Sequence, residues 1–205
     1  MGEVANVCTV AGFDASLSAW GWAVLTARQV RVASGLLATT WELQGCNVAT
    51  SKPVDADTVA AGRSARVRSL YQRVRRDLDL FNVDALAVES AILPVGPAAG
   101  RFTTPTTIAA LGQVRGSVDA MAVELGLRLY DVTPQAVKKR ALSHGLLGTE
   151  ALQRKWKIDK ADVIEATESA FRWGLVARFG SRVEHVCDAV WVAVIGAERE
   201  LERAP

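Results

Sequence analysis

Three acidic side chains stand where apolar segments of the sequence end. Asp14 closes an apolar run, Glu89 closes a second run, and Asp188 lies at the margin of an apolar helix stripe. Ionised carboxylates repel one another, so their convergence requires a cation or raised pKa values. Magnesium prefers oxygen ligands, and two ions about 3.5–4 Å apart can activate water and stabilise the leaving oxygen in phosphodiester hydrolysis. The pattern is therefore typical of metal-dependent nuclease chemistry.

Each acid also has a purely structural interpretation. Asp14 could open a turn, Glu89 could end a strand, and Asp188 could sit on a solvated helix flank, and for one acid alone that interpretation is favoured. The three in this order favour the functional interpretation, although spacing does not establish that they meet. His185 lies three residues before Asp188 and either packs or supplies a fourth ligand, a role for which Glu184 competes.

The elements that must position these acids follow from hydrophobic periodicity. Short apolar segments predict strands at residues 7–13, 20–25, 30–37, 84–89 and 127–132, the first three forming an antiparallel meander. Helical spacing predicts helices over residues 57–80, 108–125, 158–173 and 182–201, with another beginning at Pro134 and capped by Thr133. Gly112 and Gly116 are expected to permit close helix packing.

Alternation along the first strand predicts which residues share a face. Val7, Thr9, Ala11 and Phe13 face one side, and Cys8, Val10, Gly12 and Asp14 face the other. The element order predicts a mixed α/β protein in which helices cover both faces of a five-stranded sheet, and this is the order of the RNase H-like fold. No linker divides the chain, so residues 1–205 are expected to form a single domain.

Composition restricts the class of protein. The 205 residues carry 24 basic and 22 acidic side chains, so the net charge of +2 does not by itself indicate nucleic acid binding. No apolar run reaches the roughly 18 residues of a membrane helix, and no secretory signal is visible, so we expect a cytoplasmic protein without membrane contact. Cys8, Cys46 and Cys187 lack paired spacing and are expected to be reduced packing residues.

Basic residues concentrate in two regions that could follow a phosphate backbone. The first contains Arg63, Arg66, Arg68, Arg73, Arg75 and Arg76, and the second contains Lys138, Lys139, Arg140, Arg154, Lys155, Lys157 and Lys160. The helix over residues 57–80 could bind DNA, pair with a second subunit or face water.

Several motifs resemble the RuvC family of Holliday junction resolvases over residues 7–198. They are Val10-Ala-Gly-Phe-Asp14, Gly21-Trp-Ala-Val24, Ala87-Val-Glu89, Leu111-Gly-Gln-Val-Arg-Gly116, Val132-Thr-Pro-Gln-Ala-Val-Lys138 and His185-Val-Cys-Asp-Ala189. The resemblance implies a homodimeric endonuclease that nicks paired strands symmetrically at four-way DNA junctions. It also implies Asp14, Glu89, His185 and Asp188 as catalytic ligands of two Mg²⁺ ions per site, with Mn²⁺ as an alternative.

The same resemblance places Lys138 and Lys160 near the scissile phosphate, where they would hold it and stabilise transition-state charge. Without the resemblance, both would be interpreted as solvated helix lysines. Lys139 joins them in the predicted DNA-binding set. Arg115 either packs the helix or contacts the DNA backbone.

The sequence departs from the family at three places. Ala15-Ser16 replaces the usual Pro-Gly after the first acid. Ile92 occupies the position of an aromatic junction wedge, with Phe102 further along the chain, and an apolar wedge can still unstack bases. A longer connection before Lys160 carries Trp156 among Arg154, Lys155 and Lys157. The Trp156 ring either stacks on DNA bases or packs inward.

These departures predict a divergent family member in a bacterial host or phage-infected cell, and they leave forks and flaps open as substrates. Three alternatives remain. One is an RNase H-like nuclease acting on structured RNA, and a second is a branched-DNA-binding module without catalysis. A zinc or thiol enzyme built on His185 and Cys187 would have too few paired ligands.

Overall fold

The computed structural model describes residues 3–53, 58–90, 105–143 and 159–204. Five strands form one sheet: β1 (Glu3–Ala15), β2 (Ala19–Arg31), β3 (Leu37–Thr50), β4 (Ala85–Glu89) and β5 (Arg128–Val132). The helices are α1 (Val59–Leu78), α2 (Pro105–Leu125), α3 (Pro134–Ser143), α4 (Lys160–Phe171), α5 (Leu175–Phe179) and α6 (Val183–Arg203), with a 3₁₀ turn at Gly180–Arg182.

The sheet is mixed, with strand order β3-β2-β1-β4-β5. The meander β1-β2-β3 is antiparallel, whereas β1, β4 and β5 run parallel to one another. Parallel neighbours end at the same edge of a sheet, so the carboxyl ends of β1 and β4 lie side by side. The predicted five-stranded mixed sheet is confirmed.

Helices cover both faces of this sheet, as the alternation in β1 predicts. Cys8 and Val10 belong to the core under α3, α4, α5 and α6. Ala11 and Phe13 belong to the opposite core, which α1 and α2 cover. Each face of the central strand is therefore buried, and a charged group can remain near water only at the strand ends.

The predicted third strand is wrong in position. Residues 32–36 form the turn between β2 and β3, where Gly35 adopts a φ of 81° and Leu36 is 70% exposed. The strand occupies Leu37–Thr50 instead and pairs with the full length of β2. The strand was misplaced because the residues of the turn are apolar, as in a strand, whereas many residues of β3 are polar.

Close packing of α6 against the sheet depends on glycines other than the predicted pair. A Cβ atom on Gly12 would overlap the backbone of Ala189 and Ala193, and one on Gly21 would overlap the carbonyl of His185. Among the described residues, nothing lies within 4 Å of a Cβ atom on Gly112 or Gly116, so that expectation is wrong. The glycines that matter allow α6 to lie directly on β1 and β2.

Two of the remaining elements differ from the prediction, because β2 continues to Arg31 beyond the predicted end at residue 25 and the short helix α5 was not predicted. The other helices and strands begin and end within about four residues of the predicted bounds. Thr133 accepts a hydrogen bond from the backbone N–H of Ala136 at 3.2 Å, which confirms it as the cap of α3. None of the described helices is long and apolar enough to cross a bilayer.

Candidate metal and nucleic acid site

Three carboxylates converge at the edge of the sheet where β1 and β4 end. Phe13 pairs with Val88 in the parallel ladder, so Asp14 and Glu89 follow at matching positions. The first turns of α6 add Asp188 from above. One oxygen from each acid lies within 4.8 Å of the other two, and all three side chains are partly buried. The sequence prediction that these acids could meet is consistent with this geometry.

The electrostatics of this carboxylate cluster are unfavourable without a cation. Burial, followed by the charges of Asp14 and Asp188, raises the pKa of Glu89 to about 8, and Lys138 opposes the rise. Burial and then Asp14 raise the pKa of Asp188 to about 6, with Lys160 acting in the opposite direction. A divalent cation would neutralise the repulsion that adds to burial in both pKa shifts.

His185 contacts the cluster through Asp14. Its Nδ1 lies 2.5 Å from Oδ2 of Asp14, and this hydrogen bond is the main reason that the pKa of His185 is raised. The set of mutually close ligand atoms contains the three acids and not His185. With Nδ1 engaged by Asp14, only Nε2 of His185 would remain to bind a metal, and its ligand role stays a prediction.

Lys138 and Lys160 line a cleft of about 200 Å³ together with Glu89 and Asp188. Both ammonium groups belong to exposed residues on separate helices. Nζ of Lys160 donates a hydrogen bond to Oε2 of Glu184 at 2.6 Å. Glu184, the competing candidate for fourth ligand, is therefore paired with Lys160. This pairing holds the lysine beside the carboxylate cluster.

A capping box fixes the start of α4, and with it the position of the Lys160 backbone. Oδ1 of Asp159 accepts from the backbone N–H of Asp162 at 3.1 Å, and Oδ2 of Asp162 accepts from the N–H of Asp159 at 3.0 Å. Reciprocal caps of this kind satisfy two otherwise unpaired donors. The helix thus begins at one defined residue directly beside the cleft.

Two further residues of the predicted DNA-binding set lie in the described part of the chain. Arg115 donates to Asp119 at 2.9 Å and also pairs with Asp131. These ion pairs support its packing role, and its DNA contact stays a prediction. Lys139 is exposed on α3 next to Lys138. Ile92, Phe102, Arg154, Lys155, Trp156 and Lys157 lie outside the described residues.

The cysteines have the environment of packing residues. Cys8, Cys46 and Cys187 are all buried free thiols. Burial raises the pKa of Cys187 to about 12, which keeps this thiol protonated at neutral pH. A thiol centre built on His185 and Cys187 is therefore disfavoured.

Glycine positions were the part of the site that the sequence interpretation missed. Neither Gly12 nor Gly21 was predicted to be a packing position, yet their lack of side chains lets α6 bring His185 and Asp188 to the end of β1. Gly12 two residues before an acid that ends a buried strand was the available signal.

No protein family model and no curated protein sequence matches this chain. Solved structures share its fold. Thermus thermophilus RuvC, one structure of which is in complex with a Holliday junction substrate, superposes with a TM-score of 0.61 and 21% identity, covering 95% of this chain and 96% of that chain. The yeast mitochondrial Holliday junction resolvase Ydc2 matches more weakly, with a TM-score of 0.47 and 10% identity over 90% of this chain and 75% of that chain. The predicted RNase H-like architecture is confirmed by the likeness to RuvC.

Proposed function

We propose that this protein is a divalent-metal-dependent endonuclease that cuts four-way DNA junctions by paired phosphodiester hydrolysis. The observation that carries the proposal is the convergence of Asp14, Glu89 and Asp188 within 4.8 Å. The RuvC fold supports the same proposal, because a RuvC structure of this fold holds a Holliday junction substrate.

The donor set fits hard divalent cations. Asp14, Glu89 and Asp188 offer only carboxylate oxygens, and burial together with the charges of Asp14 and Asp188 raises the pKa of Glu89 to about 8. Oxygen donors of this kind suit Mg²⁺, with Mn²⁺ as the alternative. When bound, such cations would supply Lewis acidity for activating water and stabilising the leaving oxygen. We propose two ions per site.

The chain's own cations would complete the chemistry. Lys138 and Lys160 flank the carboxylate cluster in the cleft of about 200 Å³. There they would orient a phosphodiester and stabilise the charge that develops on its oxygens. His185, hydrogen-bonded to Asp14 at 2.5 Å, would fix the rotamer of that carboxylate. Glu184 in turn would hold Lys160 in place.

A junction presents two symmetric strands, so a two-fold protein could cut both. We therefore propose a homodimer that acts on branched DNA in the cytoplasm of a bacterial or phage-infected cell. The predicted single nuclease domain over residues 1–205 is part of this proposal.

The decisive experiment is cleavage of a labelled synthetic four-way junction beside a fork, a linear duplex and a structured RNA. Wild type and Asp14→Asn are each assayed in Mg²⁺, in Mn²⁺ and in chelator. Symmetric metal-dependent nicks that disappear in Asp14→Asn, while junction binding is retained, would support the proposal. Preferential cutting of RNA would replace it with the structured-RNA alternative, and tight binding without cutting in any metal would replace it with the binding module.

A further inference from the structure

A groove on the opposite side of the sheet from Lys138 and Lys160 lies at the same sheet edge as the carboxylate cluster. It has a volume of about 520 Å³ and lies between the first turns of α1 and α2. Its apolar wall comes from Leu17, Pro53, Val59, Ala110 and Leu111, and its charged wall comes from Arg63 and Arg66. We call this the arginine groove.

Hydrogen bonds connect the arginine groove to the turn after Asp14. Nε of Arg66 donates to Oγ of Ser51 at 3.2 Å, and the same Oγ donates to the carbonyl of Leu17 at 3.1 Å. The backbone N–H of Ser51 donates to the carbonyl of Ser18 at 3.0 Å. Arg66 is thereby fixed to the β1–β2 turn, only a few residues from a predicted metal ligand.

A second cavity extends the arginine groove to the acids. It measures about 260 Å³ and is lined by Ala15, Glu89, Ser90 and Arg115 among others. Leu111 lines both cavities. The two cavities are therefore neighbours along α2, and the second one reaches Glu89.

The charge of the arginine groove calls for an anionic occupant. Arg63 is half-buried, and within the described part of the chain its guanidinium has no hydrogen bond or ion pair. Among the described residues, no acidic side chain lines the groove. A partly buried cation without a partner is unfavourable, and an incoming anion would relieve that cost.

We infer that the arginine groove binds the phosphodiester backbone of the DNA strand on the far side of the cut from Lys138 and Lys160. Arg63 and Arg66 contact phosphates, while the apolar wall lies against sugars. The inference rests on the proposed function, because the neighbouring cavity at Glu89 places the arginine groove beside the strand that the carboxylate cluster would cut. Together the lysines and the arginines position the strand from both faces of the sheet.

The test measures binding of a labelled four-way junction in chelator as a function of salt. The logarithm of the association constant falls as log salt rises, and each phosphate contact adds about 0.9 to the steepness of that fall. Arg63→Gln should therefore make the slope shallower by about 0.9 and weaken binding about fivefold near 0.15 M salt. Arg63→Gln/Arg66→Gln should lower the slope by about twice as much. Arg63→Lys should retain the slope, because lysine preserves the charge.

Arg203→Gln is the matched control. It removes the same charge from the exposed far end of α6, and it should change affinity less than about twofold. Thermal unfolding checks that the variants fold, and Arg63→Gln is the safest of them because Arg63 forms no hydrogen bond or ion pair with the described residues. Hydroxyl-radical footprinting should show lost protection beside the nick in Arg63→Gln.

The outcomes separate this inference from the proposed function. If wild type binds and cuts junctions while Arg63→Gln/Arg66→Gln keeps its affinity and salt slope, the arginine groove is not a DNA site and the nuclease proposal stands. If wild type neither binds nor cuts four-way junctions, both the inference and the proposed function are wrong. A reduced slope and weaker binding in Arg63→Gln, with Arg203→Gln unchanged, support the inference.

Discussion

Replacing Glu89 by glutamine should stabilise the metal-free protein and should abolish the junction cleavage that we propose. The folded state raises the pKa of Glu89 from 4.5 to about 8, chiefly through burial and the charge of Asp14. Each pKa unit corresponds to about 1.4 kcal/mol, so the penalty approaches about 3 kcal/mol near pH 7. Because Glu89 keeps partial contact with water, we expect about 2 kcal/mol of this to be measurable.

The sign of the pH dependence follows from proton binding. Between about pH 4.5 and 8 the folded state holds a proton on Glu89 that the unfolded state has released, so the free energy of unfolding falls as pH rises. Glu89→Gln cannot titrate and should show a shallower decline. Asp188, whose pKa is raised to about 6, should retain part of the slope in the variant.

The assay is urea unfolding in chelator at about pH 5 and about pH 8. Near pH 8 the midpoint of Glu89→Gln should exceed that of wild type, and Mg²⁺ should stabilise wild type much more than the variant. Glu165→Gln, at an exposed position on α4, is the matched control and should follow wild type throughout. Parallel pH profiles for wild type and Glu89→Gln, or a less stable variant near pH 8, would refute the electrostatic reasoning.

Further changes test how the site is held. Gly12→Ala should lower the free energy of unfolding by about 3 kcal/mol or more, because the added methyl overlaps the backbone of Ala189. Gly112→Ala, which meets nothing within 4 Å among described residues, should instead raise it by about 0.5–1 kcal/mol. Asp159→Ala should cost about 1 kcal/mol through loss of the bond to Asp162. Urea unfolding measures all three, and equal effects of the two glycine changes would contradict the packing argument.

Much of the fold could be predicted because its core strands and helices have clear periodicity. The alternation around Val10 and Phe13 separates the two cores that the structure contains. The third strand could not be placed, because β3 is an edge strand whose outer residues are polar and whose preceding turn is apolar. Edge position weakens the periodicity on which such predictions depend.

The acids of the site could be predicted from strand endings, whereas their supporting contacts could not. Pairing of Lys160 with Glu184 and of His185 with Asp14 joins residues that are 24 and 171 positions apart. Such pairs depend on where α6 lies on the sheet. That position depends on the space that Gly12 and Gly21 leave for the helix backbone. Sequence periodicity contains no information about that position.

The glycines beneath α6 explain how the carboxylate cluster is held together. Close packing holds the backbone of α6 against β1, so separating Asp188 from Asp14 and Glu89 requires a different side-chain rotamer or loss of that packing. A backbone held in this way keeps the three acids near one another, and their repulsion persists until positive charge arrives. The same packing that holds the carboxylates together would thus make the metal-free protein less stable and the metal-bound protein more stable.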